Sequence, residues 1–333
     1  MSNYKDIHGT QIEIRSDNPA NPANGQVWYN TTDSKLRANA NTTASAWASG
    51  GNMNTARIRM GASGNGTQTA TIVFGGDTDP PHVANTEVYN GSAWTEISGD
   101  LNTARDALGG AGTATSALAF GGRPPGQLAI TEKFNGTSWT EVADLNTARE
   151  GLAGAGTATS ALAFGGLITA NSALNESWNG TCWAEAGDLV LARNTLGGGG
   201  ADNTSAIAFG GNVSGVAVPA GGGRKGETET WNGTAWTEVA DLNNTRSELA
   251  GFGAVSKAVA AGGDAPGNTA NVEVYNGTSW SEDADLTTAR AKLSGSGTSF
   301  SGVVMGGDSG SLTAATEEWT GNNAPTIREF DLS

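Results

Sequence analysis

Residues 102–139 read NTARDALGGAGTATSALAFGGRPPGQLAITEKFNGTSW, and residues 146–183 repeat the pattern as NTAREGLAGAGTATSALAFGGLITANSALNESWNGTCW. Both stretches have an arginine after Thr-Ala, then a Gly-rich segment and an apolar run that ends in Gly-Gly. An aromatic residue follows, and a tryptophan comes five residues after it. Because several spaced features recur in the same order, one structural unit is repeated along the chain.

The unit occurs six times, at spacings of 48, 44, 44, 53 and 44 residues between its arginines. The repeated arginines are Arg57, Arg105, Arg149, Arg193, Arg246 and Arg290. The glycine pairs are Gly75-Gly76, Gly121-Gly122, Gly165-Gly166, Gly210-Gly211, Gly262-Gly263 and Gly306-Gly307. The tryptophans are Trp94, Trp139, Trp183, Trp236 and Trp280, and the last unit lacks one.

Each unit contains four short strands. The run Ser116–Phe120 is apolar and bounded by turns, which is typical of a strand buried on both faces. Asn135-Gly136 separates two further strand-like segments and favours a tight hairpin, because both residues readily adopt positive φ angles. Four strands in about 44 residues have two wide faces to bury, and stacking the units around a ring buries both. The repeat therefore predicts an all-β propeller.

Composition supports this fold class. The chain has 333 residues with 50 glycines, 37% hydrophobic residues and only 15% charged residues. Such a mixture suits half-buried strands joined by short polar turns and is poor material for long amphipathic helices.

These features resemble the kelch repeat over roughly residues 40 to 320. The arginine, the apolar run with its glycine pair, the aromatic of the third strand and the tryptophan of the fourth carry the resemblance. It implies a kelch-type β-propeller in which the glycine pairs allow neighbouring blades to approach closely. It also implies that the aromatic residue and the tryptophan pack between blades.

A second, shorter resemblance concerns Gly25–Thr32 and Lys35-Leu36-Arg37. These residues resemble a β segment near the front of many bacteriophage structural proteins, and the repeats resemble kelch-like proteins of marine phages. The resemblance implies a virion protein assembled in the host cytoplasm: a tail, fibre or capsid-appendage subunit within a homo-oligomeric assembly. Residues 1–25 would then be an arm that docks to other virion proteins.

The ring can close in two ways. Trp47 stands ten residues before Arg57, the same offset as between later units, so it marks the fourth strand of the preceding blade. In one closure, residues 26–56 form a seventh, atypical blade, and Thr326–Phe330 takes the fourth position in the blade begun at Arg290, with Pro325 where its tryptophan should be. In the other, Trp47 completes the blade begun at Arg290. We favour seven blades, with residues 57–333 as six repeats, and keep six as the alternative.

The residues that catalysis would need are scarce. Only His8 and His82 are histidines, and neither has the rigid support that an acid–base triad requires. The chain lacks the histidine pair that copper chemistry like that of galactose oxidase needs. The six arginines recur too regularly to form a sialidase-like cluster. We expect no enzyme activity, no cofactor and no metal site, with the loop acids Asp77, Asp79 and Asp264 solvated.

Charge and hydropathy exclude several classes of partner. The net charge of −15 repels nucleic acid and anionic lipid, and no basic patch offsets it. Met1–Gly25 has no apolar core and no apolar run of about 18 residues occurs, so we predict neither an export signal nor a membrane insertion.

Cys182 is the single cysteine, and we expect it to pack as a small apolar residue.

Variation among the repeats indicates where binding occurs. The hairpin turns are nearly uniform, whereas the loops after the glycine pairs differ in every unit. In an antiparallel blade these loops emerge at one end of the ring, which we call the variable face. Its loops span residues 77–85, 123–130, 167–174, 212–227, 264–271 and 308–315. The candidate binding residues there are Asp77, Asp79, His82, Arg123, Arg224, Lys225 and Asp264.

Three functions remain open at this point. The leading one is a non-enzymatic virion protein that attaches to a host-surface glycan or protein. The alternatives are a cellular kelch-type protein-interaction module and a degenerate carbohydrate-active propeller.

Overall fold

The computed structural model describes residues 12–19, 26–41, 45–213, 223–321 and 325–330, and it contains no helix among them. The chain forms two compact units, Ala46–Trp319 and a smaller unit of Met1–Ser45 with Thr320–Ser333. The strands are β1 (Glu13–Arg15), β2 (Val27–Asn30), β3 (Lys35–Asn41), β4 (Ala46–Ser49), β5 (Gly61–Ala62), β6 (Thr71–Phe74), β7 (Thr86–Tyr89), β8 (Trp94–Ile97), β9 (Gly109–Thr113), β10 (Ser116–Phe120), β11 (Thr131–Phe134), β12 (Trp139–Glu141), β13 (Ala153–Thr157), β14 (Ser160–Phe164), β15 (Asn175–Trp178), β16 (Trp183–Ala186), β17 (Gly197–Asp202), β18 (Ser205–Phe209), β19 (Thr228–Trp231), β20 (Trp236–Val239), β21 (Ala250–Ala254), β22 (Lys257–Ala261), β23 (Val272–Tyr275), β24 (Trp280–Glu282), β25 (Ser294–Thr298), β26 (Ser301–Met305), β27 (Thr316–Thr320) and β28 (Pro325–Phe330).

The larger unit contains six four-stranded sheets, which confirms the all-β, propeller-like prediction. Five sheets take four consecutive strands each, from β5–β8 to β21–β24, and we number them blades 1 to 5. Blade 6 has the order β25-β26-β27-β4. The buried strand predicted at Ser116–Phe120 is β10, and a hairpin containing Asn135-Gly136 joins β11 to β12, where Phe134 pairs with Trp139. The loop is residues 135–138 and only Gly136 has a positive φ angle, so the expected tight turn with positive φ at both residues is not formed.

A closed cycle of backbone hydrogen bonds shows that these six sheets form a ring. The N–H of Arg59 in blade 1 donates to the carbonyl of Lys292 in blade 6, at 3.0 Å. The same bond joins each successive pair of blades, through the donors Ala107, Gly151, Thr195, Glu248 and Lys292, and returns to Arg59. The first strand of each blade lies innermost, against the first strands of both neighbours.

The favoured count of seven blades is therefore wrong, and the six-bladed alternative is the observed closure. Trp47 lies on β4, which completes blade 6, the blade begun at Arg290. Thr326–Phe330 lies on β28, which pairs with β3 in the separate sheet β1-β2-β3-β28 and does not join blade 6. Sequence periodicity could not distinguish the two closures, because β4 and β28 both offer a fourth strand.

The smaller unit has its own polar network, in which the exposed Asn18 bonds to buried side chains. Asn18 accepts hydrogen bonds at Oδ1 from the indole of Trp28 and the amide of Asn30, both at 3.2 Å, and from the Arg37 guanidinium at 2.6 Å. Trp28 is wholly buried. The strand β1 runs parallel to β2, whereas β3 is antiparallel to both β2 and β28. The proposed arm falls partly on residues 1–11 and 20–25, which lie outside the described residues.

Candidate functional site

The six repeated arginines lie buried inside the blades rather than at a surface site. Each forms an ion pair, of 2.5 to 3.1 Å, with the glutamate that is the second residue of the third strand or its equivalent. Arg149 also donates to the carbonyls of Ala163 and Gly165, both at 3.0 Å. Burial lowers the pKa of Arg149 from its ordinary value, against the opposing effect of Glu176. The arginine therefore ties the strands of a blade together.

The glutamate partners extend this scaffold to the loop that precedes each blade. Glu176 accepts the backbone N–H of Asn146 at 2.7 Å while it pairs with Arg149. The other glutamates accept the equivalent backbone N–H: Glu87, Glu132, Glu229, Glu273 and Glu317. Sequence reasoning missed these partners, although a glutamate near the start of every third strand was a visible signal.

The tryptophans pack at the interfaces between neighbouring blades, which we call the seams. Trp139 packs edge-on against Phe74 of the preceding blade, with ring centroids 4.7 Å apart, and donates its indole N–H to Thr86 Oγ1 at 3.0 Å. The same indole-to-threonine bond is made by Trp94, Trp183 and Trp280. These residues form the scaffold and leave the variable face available for other contacts.

One end of the central channel carries six residues that differ from blade to blade, two positions after each repeated arginine. We call them the mouth residues: Arg59, Ala107, Gly151, Thr195, Glu248 and Lys292. All six have φ angles of 48° to 60°, although only one is glycine. Holding a non-glycine residue in this left-handed region costs free energy. The closed cycle of hydrogen bonds through their backbones fixes this conformation.

The mouth residues frame a cavity of about 160 Å³ whose walls are mostly glycine, alanine and leucine from the innermost strands. Arg59 Nη2 lies 3.0 Å from Glu248 Oε1, so a salt bridge joins blades 1 and 5, which are not neighbours in the ring. Side chains thus cross the mouth at the variable face. Sequence reasoning missed Arg59, Glu248 and Lys292, because it sought variation only in the loops after the glycine pairs.

A second group of ionic residues lies where blades 1, 2 and 3 meet. Arg123 Nε lies 3.0 Å from Asp106 Oδ1 and 3.5 Å from Glu150 Oε2. His82 Nδ1 lies 3.3 Å from the same Asp106 oxygen, and Asp77 completes a cluster with them. The structure therefore brings three of the predicted residues, Asp77, His82 and Arg123, into one network. Asp106 and Glu150 belong to it although they were not predicted.

The remaining predicted residues are spread further around the face. Arg224 Nε pairs with Asp264 Oδ2 at 3.1 Å, which links blades 4 and 5. Lys225 pairs with Glu227 at 3.0 Å. Asp79 is exposed and donates its backbone N–H to Asp77 at 2.8 Å. Within the longest loop, residues 214–222 lie outside the described part of the chain.

Beside Arg224 lies a polar cavity of about 180 Å³. It is lined by Asn194, Thr195, Asn212, Arg224, Ser247, Glu248 and Asp264. The Arg224 side chain is only 12% exposed, and its Nη1 atom has no hydrogen-bond partner. The cavity thus offers a site of the size of a small polar group, lined by amide, hydroxyl, guanidinium and carboxylate groups.

Cys182 does not pack as a small apolar residue, and that expectation is wrong. It is exposed in the hairpin turn between β15 and β16, where its backbone N–H donates to Asn179 Oδ1 at 3.0 Å. Every equivalent turn residue is alanine or serine, so the position tolerates any small side chain. The turn lies at the end of the ring opposite the variable face.

Within the described ranges, no helix is long and apolar enough to cross a membrane. His8 lies outside these ranges, so its lack of a rigid support stays a prediction. Comparisons with known protein families and with curated proteins give no match for this sequence.

Proposed function

We propose that this chain is a non-enzymatic recognition protein, a kelch-type propeller that binds its partner through the variable face. One observation carries the proposal: the repeats share their buried scaffold but differ at the mouth and in the loops of a single end. Scaffold positions are constrained by packing between blades, whereas residues presented at that end are free to serve a ligand.

The chemistry of this face favours a polar partner. Among the described residues, the large exposed hydrophobic side chains are Ile12, Ile14 and Val190, and none lies in the loops that define the variable face. Apart from the six buried arginines, residues 46–319 contain seven cationic side chains: Arg59, Arg123, Lys133, Arg224, Lys225, Lys257 and Lys292. Five of these seven, all but Lys133 and Lys257, belong to the variable face, in a chain of net charge −15. Each of the five is paired with a carboxylate, so the face presents both hydrogen-bond donors and acceptors. A host-surface glycan, whose hydroxyl groups both donate and accept, suits these ion pairs better than an apolar protein surface does.

The biological setting that we propose is a phage virion, with this protein as a tail, fibre or capsid-appendage subunit. Support comes from the smaller unit, whose strand β1 lies at the edge of its sheet. Ile12 and Ile14 at this edge are 52% and 76% exposed. An exposed apolar edge strand is suited to pairing with another protein chain. The arm would dock there to other virion proteins, and many copies on a particle would bind the host with avidity.

A glycan array probed with the labelled protein tests the binding site. Attaching the fluorophore to Cys182 places it at the end away from the variable face, so that the face stays free. We expect selective binding to a subset of glycans, weakened by Arg224→Ala and unchanged by the control Lys133→Ala. A flat response, or equal loss in both variants, would contradict glycan recognition by this face.

A protein inventory of purified phage particles by mass spectrometry tests the setting. We expect the chain in stoichiometric amounts, and an antibody against it to decorate tails or capsid appendages in negative stain. Absence from particles of the phage that encodes it would overturn the virion role and leave the variable face to a cellular protein partner.

A further inference from the structure

The seam between blades 1 and 2 contains a cluster of metal-ligating side chains with no assigned role. Asp77 and His82 lie on the loop after Gly75-Gly76, and Asp106 directly follows Arg105. One carboxylate oxygen of each aspartate and one ring nitrogen of His82 all lie within 4.8 Å of one another. We propose that Asp77, His82 and Asp106 bind a divalent transition-metal ion of the Zn²⁺ class. The proposal is independent of the partner that the variable face binds.

The missing hydrogen bond at one ring nitrogen of His82 supports the proposal. Its Nδ1 atom is buried and makes no hydrogen bond, although it lies only 3.3 Å from Asp106 Oδ1. A buried polar atom without a partner is unfavourable, and most such atoms in folded proteins are satisfied. A metal ion between the imidazole and the two carboxylates would supply the missing partner.

The backbone holds the three ligands in place. Asp77 is bridged on one side to Ile58 and on the other to His82. Its Oδ1 atom accepts the N–H of Asp79 at 2.8 Å, which orients the carboxylate. The Asp106 side chain is wholly buried. Zinc binds nitrogen and oxygen at about 2.0–2.2 Å, so its ligand atoms are roughly 3–4 Å apart, and only a small contraction of this cluster is needed.

The type of donor selects the class of ion. One imidazole nitrogen with two carboxylates is a mixed donor set that suits Zn²⁺ and similar ions, whereas Ca²⁺ and Mg²⁺ prefer oxygen ligands alone. Three protein ligands leave room for water on the ion. His82 is 31% exposed, so solvent reaches the site.

Arg123 is the natural competitor of the ion. Its Nε atom lies 3.0 Å from Asp106 Oδ1, and its Nη2 atom lies 3.4 Å from Asp106 Oδ2. Glu150 is only 3.5 Å from the same Nε atom. When the metal binds Asp106, the guanidinium can transfer to Glu150 without losing an anionic partner. Metal and guanidinium therefore compete for Asp106 Oδ1.

Zinc titration of the full-length protein by calorimetry near neutral pH tests the site. We expect one Zn²⁺ per chain, and binding about 10–100-fold weaker in His82→Ala because a ligand is lost. Arg123→Gln is expected to bind several-fold more tightly, because a competing positive charge is removed. His8→Ala is the matched control, since His8 is the only other histidine, and it is expected to bind like the wild type.

Thermal unfolding without metal checks that each variant is folded before titration. Substituting Co²⁺ gives a visible spectrum that reports coordination, and its loss in His82→Ala would support imidazole ligation. Undiminished zinc affinity in His82→Ala would overturn the proposal. So would weak binding of several ions that does not respond to Arg123→Gln, because it would mean general attraction to an acidic protein.

Discussion

At the scale of single residues, one indole hydrogen bond recurs at the seams between blades. Trp94, Trp139, Trp183 and Trp280 each donate to a threonine hydroxyl of the preceding blade. At Trp236 the threonine is replaced by Asn175, and neither the indole nitrogen nor Asn175 Oδ1 has a partner. At four of the six seams the threonine therefore serves as a hydrogen-bond acceptor as well as a strand residue.

Replacing Thr131 by valine removes the acceptor of Trp183 while keeping the side-chain shape. We expect Thr131→Val to lower the free energy of unfolding by about 1–2 kcal/mol, because the buried indole N–H is left unsatisfied. Chemical denaturation monitored by tryptophan fluorescence measures the loss. Thr131→Ser keeps the hydroxyl and is expected to lose less, so equal losses in the two variants would assign the effect to packing.

Tyr89 makes the stability of the folded protein depend on pH in the alkaline range. Its hydroxyl donates to Glu318 of blade 6 at 2.5 Å, and burial together with this bond raises its pKa to about 12. An unfolded tyrosine titrates near pH 10. The contribution of the Tyr89 hydroxyl to the free energy of unfolding is therefore complete below about pH 10, and it is lost as the pH rises through about 12.

The difference in stability between wild type and Tyr89→Phe isolates this contribution, because other alkaline titrations are common to both proteins. We expect the difference to be constant from pH 7 to about 9 and to shrink above about pH 10. A difference that does not change with pH up to the limit of folding would show that the bond to Glu318 is not maintained.

At the scale of elements, the glycine pair ends the second strand and sets the distance between blades. Gly121 has φ of +67°, and a Cβ atom there would lie 2.7 Å from the carbonyl oxygen of Arg149 in the next blade. The adjacent Gly122 donates its N–H to that same oxygen at 2.9 Å. Six such bonds, from Gly76, Gly122, Gly166, Gly211, Gly263 and Gly307, form a second closed cycle around the ring.

Gly121→Ala is expected to lower the free energy of unfolding by about 2–4 kcal/mol, since it combines backbone strain with a clash between blades. Gly126 in the same loop is the matched control, because no atom lies within 4 Å of a Cβ placed there. Gly126→Ala should stay within about 0.5 kcal/mol of the wild type. Similar losses in both variants would mean that the close approach at Gly121 does not limit stability.

At the scale of the whole molecule, β4 closes the ring by supplying the fourth strand of blade 6. Trp47 packs against Trp319 with ring centroids 5.0 Å apart and donates its indole N–H to the carbonyl of Ala284 in blade 5, at 2.9 Å. Strands from the two ends of residues 46–319 thus share one sheet. Blade 6 is therefore complete only when both ends of the larger unit are present.

Two truncations test this closure. A chain that begins at Ala46 retains β4, and we expect it to unfold cooperatively at a temperature close to that of the full chain. A chain that begins at Gly51 lacks β4 and exposes the edge of β27, so its stability should fall by about 3 kcal/mol from the combined loss of the partly buried Trp47 and the backbone hydrogen bonds of β4. Equal melting temperatures for the two chains, measured by circular dichroism, would contradict closure by β4.

The sequence by itself determined the strands, their hairpins and the six-fold repeat, because these depend on local patterns. Ser116–Phe120 is apolar between turns, and Asn135-Gly136 marks a hairpin, although the turn that forms there has a positive φ only at Gly136. The loop variation also indicated which end of the ring differs between blades. Local patterns could identify Arg123 and His82 as loop residues, but not their neighbours.

Only the tertiary structure decided which fourth strand closes the ring and which residues meet at its mouth. Trp47 and Thr326–Phe330 satisfied the same strand pattern, and the choice depended on contacts more than 200 residues apart, such as that of Trp47 with Ala284. Arg59 and Glu248 are likewise 189 residues apart and meet because the ring closes. Periodicity fixes the unit, whereas long-range packing fixes the number of units in the ring and the side chains that they bring together.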